Sequence, residues 1–166
     1  MSRTLLLVML FVLATGISNA RAERFEIEGY VVRVDANCAV IVSNDSKARS
    51  EDAAYRFYGI GIPSERQPFG PEVRKYLAAM LPRGTRISIK KLTDPSGSDS
   101  LPEALIQVYG KSLNYALITE GLAWVDRRRC KGLYCRRWHI EEHRVIEERK
   151  GIWSVNVSTP PWQWGQ

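Results

Sequence analysis

The sequence predicts an α+β fold: five short strands forming a small barrel, with three helices packed around it. Three observations carry that expectation. Short stretches of alternating apolar and polar residues recur along the chain, bounded by turn-forming residues. One stretch with helical spacing interrupts them between the third and fourth strands. Two further helical stretches follow the fifth.

The first strand is "RFEIEGYVVRV", with Phe25, Ile27 and Val31 on its apolar side and Gly29 at an expected bulge or bend. "DANC" is a turn, "AVIVS" the second strand, and the polar run from Asn44 to Glu51 another turn. "AAYRFYGI" is the third strand. Alternation should send Tyr55 and Phe57 one way, Arg56 and Tyr58 the other. Residues 61–70 read as a loop. Pro71 then suits a first helical position, with Glu72 favourable beside the helix N-terminus. Val73, Leu77, Met80 and Leu81 form one face of that helix, and Pro82-Arg83-Gly84 ends it. "TRISIKKL" is the fourth strand, "TDPSGSDSLPE" a loop and "ALIQVY" the fifth strand. Ser112 caps a short helix, "LNYALITE", which Gly121 stops. "WHIEEHRVIEERK" is a charged amphipathic helix ended by Gly151, and "STPPWQWGQ" is expected to run extended on the surface. This order suggests the five-stranded, partly open Greek-key barrel of the OB-fold.

Residues 1–22 are set apart from that domain. Arg3 precedes an apolar run from Leu5 to Ala14, and Ala20-Arg21-Ala22 is an A-x-A cleavage pattern. This is the anatomy of a secretory signal peptide, and the run is shorter than the about 20 residues that span a bilayer. The expectation is a chain exported to the periplasm or secreted, with residues 23–166 as one domain and no stable membrane span after cleavage. An oxidising compartment permits disulfides. Cys130 and Cys135 bound "CKGLYC" and are expected to pair, fixing a short basic loop; Cys38 is read as a small buried hydrophobe.

The formal net charge is +6. That modest excess allows nucleic acid, an acidic envelope component or an unidentified protein as partner. Its distribution says more. Arg127, Arg128, Arg129, Lys131, Arg136 and Arg137 lie within one short stretch without an acid, and Tyr134 sits among them. Basic residues with an interleaved aromatic suit backbone contact and base stacking, so this stretch is a candidate nucleic-acid contact. "HIEEH" matches a zinc-peptidase pattern only weakly, and packed or solvated histidines are the expectation.

"YRFYGIGIP", "GPEVRKYLAAMLPRGTRISI", "YGKSLNYALITEGLAWV" and "EERKGIWS" resemble the thermonuclease family of staphylococcal nuclease-like domains, across roughly Phe25 to Trp162. The resemblance implies an OB-barrel with three helices and a calcium-dependent phosphodiesterase acting on DNA and RNA. It also implies a site of two metal aspartates, a glutamate base and two arginines. This chain departs from that set. Where the family's first turn reads Asp-Gly-Asp-Thr, Asn37 replaces the metal aspartate, although a one-residue slip would bring Asp35 there. Where the family has Gly-Ile-Asp-x-Pro-Glu, Pro63 sets the register. Gly61 then replaces the second aspartate and Ser64 the base, with Glu65 one residue late. Arg56 matches the first arginine. Ser98 stands at the second and Ser96 at the family's tyrosine, and residues 92–110 contain no arginine or lysine. The sequence therefore reads as a nuclease-like fold without nuclease catalysis, acting as a binding or scaffolding module, with no cofactor expected. The alternative is a calcium-dependent endonuclease using Asp35, Glu65 or Asp94 as displaced ligands.

Overall fold

The computed structural model describes residues 27–94, 100–155 and 159–164. The expected leader, residues 1–22, lies outside them. Five main strands build the barrel: β1 (Ile27–Val34), β2 (Val40–Ser43), β3 (Ala53–Phe57), β5 (Arg86–Thr93) and β6 (Glu103–Val108). Two-residue strands β4 (Ile60–Gly61), β7 (Lys111–Ser112) and β8 (Trp124–Val125) accompany them, with helices α1 (Gly70–Met80), α2 (Leu113–Thr119) and α3 (Leu133–Glu147).

The strands run in the order β3-β2-β1-β5-β6-β7, and β3 also pairs with β6, which closes the barrel. That closing pair is parallel, setting Arg56 opposite Glu103 and Phe57 opposite Ala104; the other barrel pairs are antiparallel. Alternation works as expected in β3 and β5, where Tyr55, Phe57, Ile87 and Ile89 are buried. β2 and most of β6 are buried on both faces, placing Val40, Ile106 and Val108 in the core with Val31 of β1, and α1 adds Val73 and Leu77. From α2 come Leu113, Leu117 and Ile118, and from α3 Trp138 and Val145. Buried Asn114 ties α2 to the barrel. Its side-chain oxygen accepts from the Ile106 amide at 2.9 Å, and its nitrogen donates to the Tyr58 and Ala104 carbonyls at 3.2 Å. Ser112 caps α2 as expected, accepting from the Tyr115 amide at 3.3 Å. Among the described residues no helix is long and apolar enough to cross a membrane.

Four local expectations are corrected. The irregularity in β1 falls between Val31 and Arg33, not at Gly29. Tyr58 does not face outward with Arg56. The chain turns at Gly59, whose φ is +68°, and this folds Tyr58 into the core, where its hydroxyl accepts from the Lys131 amide at 3.0 Å. Helix α3 starts at Leu133, so Tyr134, Arg136 and Arg137 ride on a helix and not in a loop. The Cys130–Cys135 disulfide, with Cα atoms 5.6 Å apart, clamps its first turn. Residues 159–164 do not run extended. Pro161–Gln163 form a helical turn that folds back towards β4.

Candidate functional site

A cleft of about 420 Å³ opens beside the closing pair of the barrel. Its walls include Arg56 and Glu103, which face each other across β3 and β6, with Asn37, Gly61, Arg129 and Trp162. Five stretches distant in sequence therefore meet beside one strand pairing.

Arg56 is held by its strand: its amide donates to the Pro102 carbonyl at 2.9 Å, and its side chain stays exposed. Asn37 belongs to the turn between β1 and β2. Asp35 organises that turn, its Oδ1 accepting from the Asn37 and Ala39 amides, both at 2.8 Å. This is a turn-forming use of aspartate, and it spends one carboxylate oxygen on the backbone. Cys38 follows, buried in the cleft wall. Burial pushes its thiol up to about 11, so it stays protonated at neutral pH.

Gly61 pairs with Trp124 in β8, and what covers it decides the character of the site. A Cβ placed on Gly61 would lie 2.5 Å from Cζ3 of Trp162 and 3.1 Å from Cγ of Pro161. The room for any side chain at position 61 is filled by the Trp162 ring. The segment is anchored at two points. The Arg128 guanidinium stands 4.9 Å from the Trp162 ring centroid. Gln67, 3% exposed, accepts from the Ser64 amide at 2.9 Å and donates to the Thr159 carbonyl at 3.0 Å. Residues 159–162 are thus fastened to the two positions, Gly61 and Ser64, where the resemblance implies a metal ligand and a base.

Arg129 is steered into the cleft by two acids. Its Nε donates to Asp126 at 2.9 Å, and its Nη1 pairs with Glu103. The Asp126 side chain is buried and also receives two bonds from Arg128, at 3.1 and 3.2 Å. Burial alone would raise the Asp126 pKa, but the hydrogen bonds from Arg128 and Arg129 outweigh it and hold the carboxyl below its ordinary value.

The remaining sequence candidates disperse. Glu65 is exposed, and Asp94 pairs with Lys91 at 2.7 Å on the surface. Ser96 and Ser98 lie outside the described residues. The basic stretch does not form one patch. Arg129 enters the cleft, Arg128 covers Trp162, and Arg127 lies 3.5 Å from Glu142. Lys131 reaches the Arg127 carbonyl at 3.4 Å, and Arg137 stacks 4.8 Å over Tyr115. Arg136 is exposed. Tyr134 packs between Tyr58 and Trp138, with ring centroids 6.4 and 5.8 Å away. In "HIEEH", Glu142 accepts from the Val125 amide at 2.7 Å and serves the β8–α3 packing.

Calcium, which the resemblance implies, takes six to eight oxygen ligands with several carboxylates among them. The residues here do not fit it. Asn37 is neutral, Gly61 has no side chain and its space is filled, and the one carboxylate among the described lining residues, Glu103, is paired with Arg129. Among the described residues, no three of His, Cys, Asp and Glu come together as a metal-holding group.

Sequence reasoning missed Gln67, Glu103 and Trp162. No local signal marks them, because their roles arise from the β3–β6 closure and from the fold-back of residues 159–164. In comparisons with known proteins, the family model of the staphylococcal nuclease homologues matches residues 45–155. A search of the curated proteins finds no match.

Proposed function

The chain belongs to the staphylococcal nuclease homologues, a family of phosphodiesterases, and from that premise we propose that it binds nucleic acid at the cleft without hydrolysing it. One observation carries this reading: the Trp162 ring occupies the room of a side chain at position 61. Phosphodiester hydrolysis of the family's kind needs a cation held by carboxylates and a positioned base. Here the first requirement meets an indole, and the second a serine whose amide is tied to Gln67. What remains is a guanidinium-lined cleft, and the arginine fork matches phosphate oxygens. The Cys130–Cys135 disulfide supports an exported setting, in keeping with the leader that the sequence leads us to expect at residues 1–22.

The test is incubation of the purified protein with single-stranded DNA and RNA, with and without millimolar calcium, beside an Arg56→Ala variant. The expected result is retention of intact strands, weakened about 10- to 100-fold in the variant, as for loss of a hydrogen-bonded charge. Calcium-dependent cleavage that the variant lacks would overturn the reading in favour of displaced carboxylates such as Asp35 or Glu65. Retention of an acidic polysaccharide in preference to either nucleic acid would move the ligand to the envelope.

A further inference from the structure

Resting on the cleft as a phosphate site, we propose that Arg129 supplies its second guanidinium, so that one backbone phosphate of a single strand is gripped between Arg56 and Arg129. The loop before β6 has no cation to offer, since residues 92–110 contain neither arginine nor lysine. The structure brings one from the other side. Glu103 lies opposite Arg56 in the closing strand pair, and the same Glu103 pairs with Arg129. Both arginines line the one cleft.

Arg129 has the features of a held donor. Its amide donates to the Asp126 carbonyl at 3.0 Å, and the next amide, that of Cys130, donates to the same carbonyl at 2.7 Å. Cys130 is locked by its disulfide and packs against Gly59, where a Cβ would meet its Sγ at 2.8 Å. The side chain nevertheless keeps 47% of its surface exposed. A guanidinium has five N–H donors, and the two acids engage only its Nε and Nη1. The rest of the fork is available to an anion at little further entropic cost, because the acids already fix its orientation. Charge agrees with this. Among the residues that line the cleft, two arginines (Arg56 and Arg129) stand against one carboxylate, Glu103.

The experiment is fluorescence anisotropy with a labelled oligothymidylate over a potassium chloride series. Each phosphate contact on a single strand contributes about 0.7 to the slope of log K against log salt. Arg56→Gln, Arg129→Gln and the double variant Glu103→Gln/Arg129→Gln are compared with wild type, with thermal melts to establish folding. The double variant leaves the net charge of the cleft unchanged, so a loss of affinity in it reports contact and not general repulsion. The one phosphate carries about 0.7 of slope in all, so the expected result is an affinity about tenfold lower in both Arg129 variants, with at most about 0.7 of slope lost. A folded double variant with the wild-type affinity, while Arg56→Gln is weakened, would overturn the role of Arg129 and leave the cleft reading standing. Should both Arg129→Gln proteins fail to fold, Arg129→Lys decides. It keeps the charge and loses the fork, so affinity should fall about tenfold, the share of one charged hydrogen bond; unchanged affinity would overturn the proposal. Wild-type protein that binds no oligothymidylate even at low salt would remove the underlying reading as well.

Discussion

Gly61→Ala is a small change with a large expected effect, because the added methyl must occupy space that the Trp162 ring already fills. The Cβ would lie 2.5 Å from Cζ3, where carbon atoms pack comfortably at about 3.5–4.0 Å. The backbone cannot retreat, since Ile60 and Gly61 are paired with Val125 and Trp124. The ring must therefore leave. A tryptophan buries about 150–250 Å², and Trp162 is only part-buried, so about 100 Å² of apolar surface returns to water. At about 25 cal/mol per Å² that costs about 2.5 kcal/mol. Losing the stack under Arg128 adds about 0.5–1 kcal/mol. The total, about 3 kcal/mol, is also what Trp162→Ala should cost. The two losses are one event, so the double variant should cost about 3 kcal/mol and not twice that. With the ring gone, Gly61→Ala should even be neutral or slightly stabilising, since alanine restricts the unfolded chain. Urea denaturation followed by far-ultraviolet circular dichroism gives all four corners of the cycle. Additive losses, or a Gly61→Ala protein within about 0.5 kcal/mol of wild type, would refute the reasoning that the ring holds the place of a side chain at position 61.

Two further outcomes follow from the charges and thiols. The Asp126 carboxyl is held below its ordinary value in the fold, so its contribution to stability is complete above the unfolded aspartate pKa of about 3.9 and is lost as pH falls through the folded value. Asp126→Asn should therefore lower the melting temperature near neutral pH and flatten its acid-side decline; an unchanged decline would show that Asp126 is not the group responsible. Cys38 is buried with its thiol pushed up to about 11, so a thiol reagent at neutral pH should label it only on unfolding. Stoichiometric labelling of native protein, read by mass spectrometry, would place Cys38 at an open surface instead.

Much of the fold was legible because it rests on local patterns. Alternation in "TRISIKKL" gave β5, the short stretch "ALIQVY" after a breaker-rich loop gave β6, and Ser112 announced the start of α2. The pairing of Cys130 with Cys135 followed from their short separation. The start of α3 was not legible, because the basic run reads as loop until the disulfide closes its first turn. Tyr58 was misplaced because alternation holds only while the strand continues, and Gly59 ends it.

At the site, chain order alone determined which chemical groups are present and which are lacking: the guanidinium of Arg56, an amide at Asn37, no side chain at Gly61, a hydroxyl at Ser64. Gly61 and Ser64 follow from register against Pro63, a one-dimensional property, and Asn37 from the place of the "DANC" turn. Which groups then share a cleft was decided by tertiary structure alone. The parallel β3–β6 closure sets Glu103 beside Arg56, the Asp126 turn delivers Arg129, and residues 159–162 fold back to set an indole against Gly61. Contacts of such long separation leave no periodicity in the sequence, because they depend on how the barrel closes and not on what neighbours what along the chain.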